Sequence, residues 1–323
     1  MFITNERHLS TRFTRRVGAV IVAGTLVLAA CSSDDKAQPA PVTAEAPDEE
    51  LVPESTEAPA EKSMRVVSLS PTHTEMMFAI GAGDQLVAVD TLSNYPALAT
   101  ELPNELSAFE PSVEAIAAFE PDLVLIGGDF TGLGAQLDEL DIDWWDGPTA
   151  TSLDDVYTQI DQLGAATGQV GEAAELVAQM QGDIDVIVAE AGGAGEGLSF
   201  YHEIDATLFS ADSSTFIGQI YSLLGLTNVA DADETESFGF PQLNAEFLID
   251  QNPDVIFLPT GTFYMETAEG VSARDGWDAI AAVQNGNIFE TDDEIAGRWG
   301  PRIVDYLVEV AAAVEAVGVP VGG

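Results

Sequence analysis

Two stretches of the chain carry the same phrase. Glu114-Ala-Ile-Ala-Ala-Phe-Glu-Pro-Asp-Leu-Val-Leu-Ile126 and Glu246-Phe-Leu-Ile-Asp-Gln-Asn-Pro-Asp-Val-Ile-Phe-Leu258 both read glutamate, six residues, Pro-Asp, then four apolar residues. A helix can run toward each proline and must stop before it, because the residue preceding proline is biased away from helical angles. The apolar run after Pro-Asp shows no alternation, which is the pattern of a strand covered on both faces. Written twice, the phrase marks equivalent positions in two similar lobes.

The surrounding pattern supports this. A short strand at 64–69 is followed by Ser70-Pro71-Thr72-His73-Thr74-Glu75, which opens a helix with proline early and an acid expected in its first turn. Met76, Met77, Phe78 and Ile80 give that helix its apolar side, and Gly81 and Gly83 end it. Strands are then expected at 86–89, 123–126 and 142–145, with helices at 113–119 and near 134–140. Residues 152–191 keep helical spacing through Val156, Ile160 and Leu163, then Ala173, Leu176, Val177 and Met180, so they read as two helices, the second long. A second series begins at 198–201. It continues with a helix at 215–224, a strand near 228–229, a helix at 245–251, a strand at 255–258, a helix near 277–281, a strand at 287–290 and a last helix at 302–316. The predicted fold class is α/β: two similar lobes with parallel sheets, 63–168 and 195–323, joined by a long helix at 169–194.

Composition bounds the partners. The 323 residues, 46% of them hydrophobic, suffice for two cores. Ten bases against 55 acids give a net charge of −45. Such a surface repels nucleic acid and anionic lipid headgroups and suits solubility in a salty medium. The first 30 residues break this pattern. Arg7, Arg12, Arg15 and Arg16 precede an apolar run at 17–30 that ends in Leu28-Ala29-Ala30, directly before Cys31. A basic segment, a short apolar segment and small residues describe an export signal. The run, about 14 residues, is too short to span a membrane. Leu-Ala-Ala-Cys resembles the bacterial lipobox, which implies a lipidated Cys31 as the mature N-terminus. Cys31 is the sole cysteine, so neither an intrachain disulfide nor a cysteine-based metal site is expected. From Cys31 to residue 62 the chain is rich in Pro, Ala, Glu and Asp and poor in large apolar residues. It reads as a disordered tether, roughly 30 Å in mean span.

Several motifs together resemble the ABC-importer binding proteins for ferric siderophores and cobalamin. They are Arg65-Val-Val-Ser-Leu-Ser-Pro-Thr-His-Thr-Glu75, Gly81-Ala-Gly-Asp84, Ser93-Asn-Tyr-Pro96, the two Glu-x6-Pro-Asp phrases and Gly297-Arg-Trp-Gly-Pro-Arg302. They span residues 63–318. The resemblance implies a rigid helical strut, a ligand cleft between the lobes, and Glu114 and Glu246 as paired acids that dock on the two permease subunits of an importer driven by its ATPase. Ser112 and Asn244 also stand where helix N-caps are needed, and an acid just after a cap suits the helix dipole. The implied location is the outer face of the cell membrane, through the lipid anchor.

Loops after the carboxyl ends of parallel strands face such a cleft. They nominate Ser70, Thr72, His73, Tyr95, Asp129 and Phe130, together with Phe109 just before the Glu114 helix. From the second lobe they nominate His202, Phe209, Ser214, Phe240 and Arg298. Tyr95, Phe109 and Phe240 match aromatic ligand contacts in the cobalamin-binding relatives, and Arg298 matches a cleft arginine of the family. Arg298 could instead pair with Asp292, Asp293 or Glu294, and Arg302, at the start of the last helix, is expected to find a local carboxylate. Two histidines follow the export segment, too few for a transition-metal site. A haem would need one axial ligand, for which His73, His202 or Tyr201 qualify. No resident cofactor is expected. Scarce bases favour a corrinoid or a hydroxamate-type ferric complex over an anionic cargo. The alternatives are a surface sensor or haem-binding protein of the same fold and, last, a hydrolase. Gly-x-Ser-x-Gly, P-loop and Rossmann glycine patterns are missing, and Pro71 removes a backbone N–H beside Ser70 that an oxyanion hole would use.

Overall fold

The computed structural model describes residues 63–233, 235–260 and 266–317. The export segment, Cys31 and the tether lie outside the described residues. Among the described residues, no helix is long and apolar enough to cross a membrane.

The first lobe runs β1 (Val66–Leu69), α1 (Pro71–Ala79), β2 (Leu86–Val89), α2 (Val113–Ala117), β3 (Leu123–Ile126), α3 (Leu133–Glu139) and β4 (Trp144–Asp146). Two helices follow, α4 (Leu153–Thr167) and the 22-residue α5 (Val170–Ala191). The second lobe runs β5 (Ser199–His202), α6 (Phe216–Leu223), β6 (Thr227–Asn228), α7 (Ala245–Gln251), β7 (Val255–Thr260), α8 (Ala268–Ser272), α9 (Ala281–Asn285), β8 (Ile288–Asp292), α10 (Asp293–Ala296) and α11 (Ile303–Ala316). The sheets are ordered β2-β1-β3-β4 and β6-β5-β7-β8, with every pairing parallel. One topology is thus written twice.

Strand residues alternate between faces, as a two-residue period requires. Val67, Leu69, Val124 and Ile126 enter a core private to the first lobe. Tyr201, Ile256 and Leu258 enter a core private to the second. The opposite faces send Val66, Leu125, Phe200 and Phe257 into one common core. Met76 and Met77 of α1, Ile160 and Leu163 of α4, Met180 and Ile184 of α5, and Tyr306 and Val310 of α11 complete it. Burial on both faces explains why β3 reads as an unbroken apolar run and why β7 opens on Val-Ile-Phe-Leu, while β1 interrupts its apolar residues only at the buried Ser68.

Local chemistry sets the helix ends. Ser152 and Asp155 form a capping box at the start of α4, and Gly168, at φ 80°, ends it. A Cβ on Gly164 would stand 2.4 Å from the Ala173 Cβ, so only glycine lets α4 and α5 cross this closely. At 1.5 Å per residue α5 is roughly 33 Å long, enough to strut both lobes.

The structure corrects some sequence expectations. Glu75 lies beyond the first turn of α1. The helix expected near 277–281 divides into a 3-10 turn, Trp277–Ala279, and α9. The helices α8 and α10 have five and four residues, too short to leave a period in the sequence.

Candidate functional site

The repeated phrase has the same anatomy in both lobes. Ser112 accepts a hydrogen bond from the Ala115 amide at 3.2 Å, and Asn244 accepts one from the Phe247 amide at 3.0 Å. These caps leave Glu114 and Glu246 exposed in the first turns of α2 and α7. Both helices then reverse through a left-handed residue before proline, Glu120 at φ 48° and Asn252 at φ 51°. The aspartate of each Pro-Asp clamps the entry to its lobe's central strand. Asp122 Oδ2 accepts from the Arg65 amide at 2.9 Å, and Asp254 Oδ2 accepts from the Ser199 amide at 2.9 Å. Pro-Asp therefore does the same job twice, locking β3 to β1 and β7 to β5.

At the carboxyl ends of β1, β2 and β3 lies a groove of about 540 Å³. Ser70, Thr72, Phe109 and Phe130 line it from the first lobe, and Glu294, Arg298 and Trp299 close it from the second. Phe109 and Phe130 are 78% and 87% exposed. Large aromatic faces held in solvent beside a cleft are what an amphipathic ligand would cover. Asp129 flanks the groove between Gly128 and Phe130, where its Oδ2 accepts from the Gly134 amide at 3.2 Å. Beside it, burial pushes the Asp146 carboxyl up, and the nearby Asp129 charge adds to this.

Arg298 and Arg302 reach across to one carboxylate of the other lobe. Glu75 Oε1 accepts from Arg298 Nη1 at 2.8 Å and from Arg302 Nη2 at 2.6 Å, and its Oε2 accepts from Arg302 Nε at 2.9 Å. The Glu75 side chain is 2% exposed. Arg298 also donates to Asn94 Oδ1 at 2.8 Å and to the Leu92 carbonyl at 3.1 Å. The expected local partners give way to this distant one. For Arg298, Glu294 stands farther off, at 3.8 Å. Glu75 was missed as a site residue. Its signal in the sequence is an acid set directly before the apolar Met76 and Met77 of a helix that packs inward on both sides.

Other nominated residues sit away from the groove. Tyr95 lines a separate cavity of about 390 Å³ with Leu176, Met180 and Pro301, and its ring carries the Arg302 guanidinium at 4.2 Å. His73 is fully buried. Its Nε2 pairs with Gln159 Oε1 at 3.0 Å, its ring packs edge-on against Trp145, and burial pushes it down to about 4. His202 Nδ1 pairs with the Tyr221 hydroxyl at 2.8 Å, and that hydroxyl pairs with Tyr306 Oη at 2.5 Å. Burial pushes His202 down to about 4 and the Tyr306 phenol up to about 12. His73, His202 and Tyr201 are thus enclosed in packed interiors and do not line the groove, which corrects their nomination as cleft-facing groups or haem ligands. Phe209 is half-buried, bridged to Gln242. Ser214 is exposed on the Asp212 turn, and Phe240 is 45% exposed. Nearby Phe238, not nominated, is 98% exposed. Among the described residues no group of three or more His, Cys, Asp or Glu could hold a metal ion.

Comparison with known proteins agrees with this architecture. Residues 66–295 match the family model described as periplasmic binding protein. An ABC transporter substrate-binding lipoprotein of Bacillus subtilis is 30% identical over 77% of this chain and 79% of its own length. A vitamin B12-binding protein of Yersinia pestis is 30% identical over 81% of this chain and 90% of its own. Among solved structures, a periplasmic heme-binding protein from a Roseiflexus species superposes with a TM-score of 0.70 at 25% identity, over 79% of this chain and 99% of that one. With two parallel lobes, a helical strut and a groove between them, this chain belongs to the periplasmic binding protein family.

Proposed function

We propose that this chain is the extracytoplasmic substrate-binding subunit of an ABC importer, which captures a ferric siderophore or a corrinoid and hands it to a membrane permease. The observation that carries this reading is the groove, built by strand-end loops of one lobe and closed by Arg298 and Trp299 of the other. Ligand sites favour such interfaces between domains. The names of the Bacillus and Yersinia relatives support it.

Under this reading Ser70, Thr72, Phe109, Phe130 and Trp299 contact the ligand. Phe240, Phe209 and Ser214, outside the groove lining, are assigned no ligand contact. Glu114 and Glu246, exposed and equivalent in the two lobes, dock on two equivalent permease subunits. Cys31 carries the lipid that holds the protein at the membrane, on the tether that follows it. The reading assigns no catalytic residue.

The test is uptake of radiolabelled cobalamin or ferric hydroxamate by cells carrying Glu114→Ala with Glu246→Ala. Uptake is expected to fall at least about tenfold, while the purified variant binds its ligand as before, since rim charges act on docking rather than on the groove. Unchanged uptake would overturn the docking role.

A further inference from the structure

The groove has a charge preference that its single lining arginine conceals. Arg298 is the one base among the described lining residues. A guanidinium has five N–H donors. Three of those on Arg298 are already given to Glu75, Asn94 and the Leu92 carbonyl. Its side chain is 11% exposed. Its charge faces Glu75 at 2.8 Å and Glu294 at 3.8 Å. Arg302, which could have supplied a second positive charge, is turned to the same Glu75 carboxylate and stacked on Tyr95, outside the groove. Glu294 is itself held at the rim by the Asn94 side-chain amide at 2.7 Å, so its charge is fixed beside the opening.

We propose that Glu75 and Glu294 act as internal counter-anions for Arg298, so that the groove accepts neutral or cationic members of its ligand class and rejects anionic ones. This rests on the reading of the groove as a ferric hydroxamate or corrinoid site. An anionic ligand meets no uncommitted cation there and must approach Glu294 against the field of a chain with net charge −45. A ligand with a protonated amine or a positive metal centre meets the reverse. Glu75 and Glu294 are specificity-determining residues in this scheme: they act on the ligand through the charge they cancel on Arg298.

Two probe series separate charge from shape. One is a linear ferric trihydroxamate bearing a free amine, with its acetylated and succinylated forms. The other is aquocobalamin, cyanocobalamin and a monocarboxylate of cyanocobalamin. Each is titrated at low salt into the full chain, solubilised in detergent. In whichever series binds, the cationic and neutral members are expected to bind at least about tenfold tighter than the anionic one. Glu294→Gln is expected to narrow that gap, and Glu75→Gln to narrow it further. If Glu75→Gln fails to fold, Glu294→Gln, at a partly exposed position, still decides the matter. An anionic member that binds as tightly as its neutral counterpart would overturn this inference alone, as would a gap that Glu294→Gln leaves unchanged. Binding of no member of either series would overturn the cargo reading and this inference with it.

Discussion

The two lobes share a sheet order and the Pro-Asp clamp, but they bury their acids differently. Glu203, directly after β5, is fully buried and paired within its own lobe, Oε2 to Arg274 Nη1 at 2.6 Å and Oε1 to Arg274 Nη2 at 2.7 Å. Glu75, in the first helix of the other lobe, has no base of its own lobe beside it among the described ion pairs and takes both its arginines from the second. The Glu203–Arg274 pair lies within one lobe, whereas Glu75 of the first lobe is completed by arginines of the second. A duplicated topology can thus hold an asymmetric division of labour. The first lobe supplies most of the groove wall, and the second supplies the segment from Glu294 to Trp299 that closes it and the arginines that tie the lobes together.

Breaking the two ion clusters should expose this asymmetry most strongly. Removing the acid from a buried pair leaves uncompensated charge and costs about 3–5 kcal/mol. Glu75→Ala and Glu203→Ala should lose comparable stability in urea unfolding, but amide exchange should tell them apart. Glu203→Ala should deprotect the second lobe alone. Glu75→Ala should raise exchange at the facing surfaces of both lobes. Identical exchange patterns would contradict the comparison.

Each lobe also holds one buried, neutral histidine, His73 or His202, both pushed down to about 4 by burial. In the unfolded chain an imidazole takes its proton near 6.5. Between those values the unfolded state binds more protons, so stability falls as pH drops from about 6.5 to about 4, and above that window this contribution is constant. The loss should reach the order of 3 kcal/mol per histidine. Urea midpoints measured from about pH 7 down to about pH 4 should show it, and His73→Gln or His202→Gln should each flatten the slope.

The Pro-Asp clamps are the point of closest likeness. Asp122→Asn and Asp254→Asn should each cost about 1–2 kcal/mol, the scale for a charged hydrogen bond to a partly exposed amide, and the two losses should agree. Thermal melts of the pair provide the check, and a large difference would break the equivalence. Smallest in stability is Phe109→Ala. At 78% exposure it should shift unfolding by no more than about 0.5 kcal/mol. Its effect belongs to binding, where loss of an aromatic anchor should weaken the ligand about tenfold.

Much of this architecture was legible in the sequence because its signals are local. Doubly covered strands write themselves as Leu-Val-Leu-Ile and Val-Ile-Phe-Leu, and caps such as Ser112, Ser152 and Asn244 precede the helices they start. Ser70, Thr72 and Phe130 stand on the groove as strand-end positions predict, with Phe109 shortly before α2 and Arg298 shortly after α10. What was not legible depends on partners remote in the chain. Arg298 and Arg302 lie 223 and 227 residues from Glu75. Tyr95 occupies a strand-end loop, yet Arg302 stacks on it beside a second cavity. His73 also follows a strand end, but α1 turns its ring inward onto Gln159 and Trp145. A strand-end position selects a loop, and the helix phase then decides which of its side chains face the groove.

The most direct test of the central claim uses the tryptophan already in the groove. Trp299 lines it, with its indole N–H donated to Gln159 Oε1 at 3.1 Å. Fluorescence is titrated with cyanocobalamin, a ferric hydroxamate, a ferric catecholate and haemin, with absorbance correction, for the wild-type chain and for Trp299→Phe. The account predicts saturable quenching by cyanocobalamin or the hydroxamate, at micromolar affinity or tighter, with most of the signal lost in Trp299→Phe. No saturable response to any of the four, or quenching that Trp299→Phe leaves intact, would contradict a ligand site in this groove.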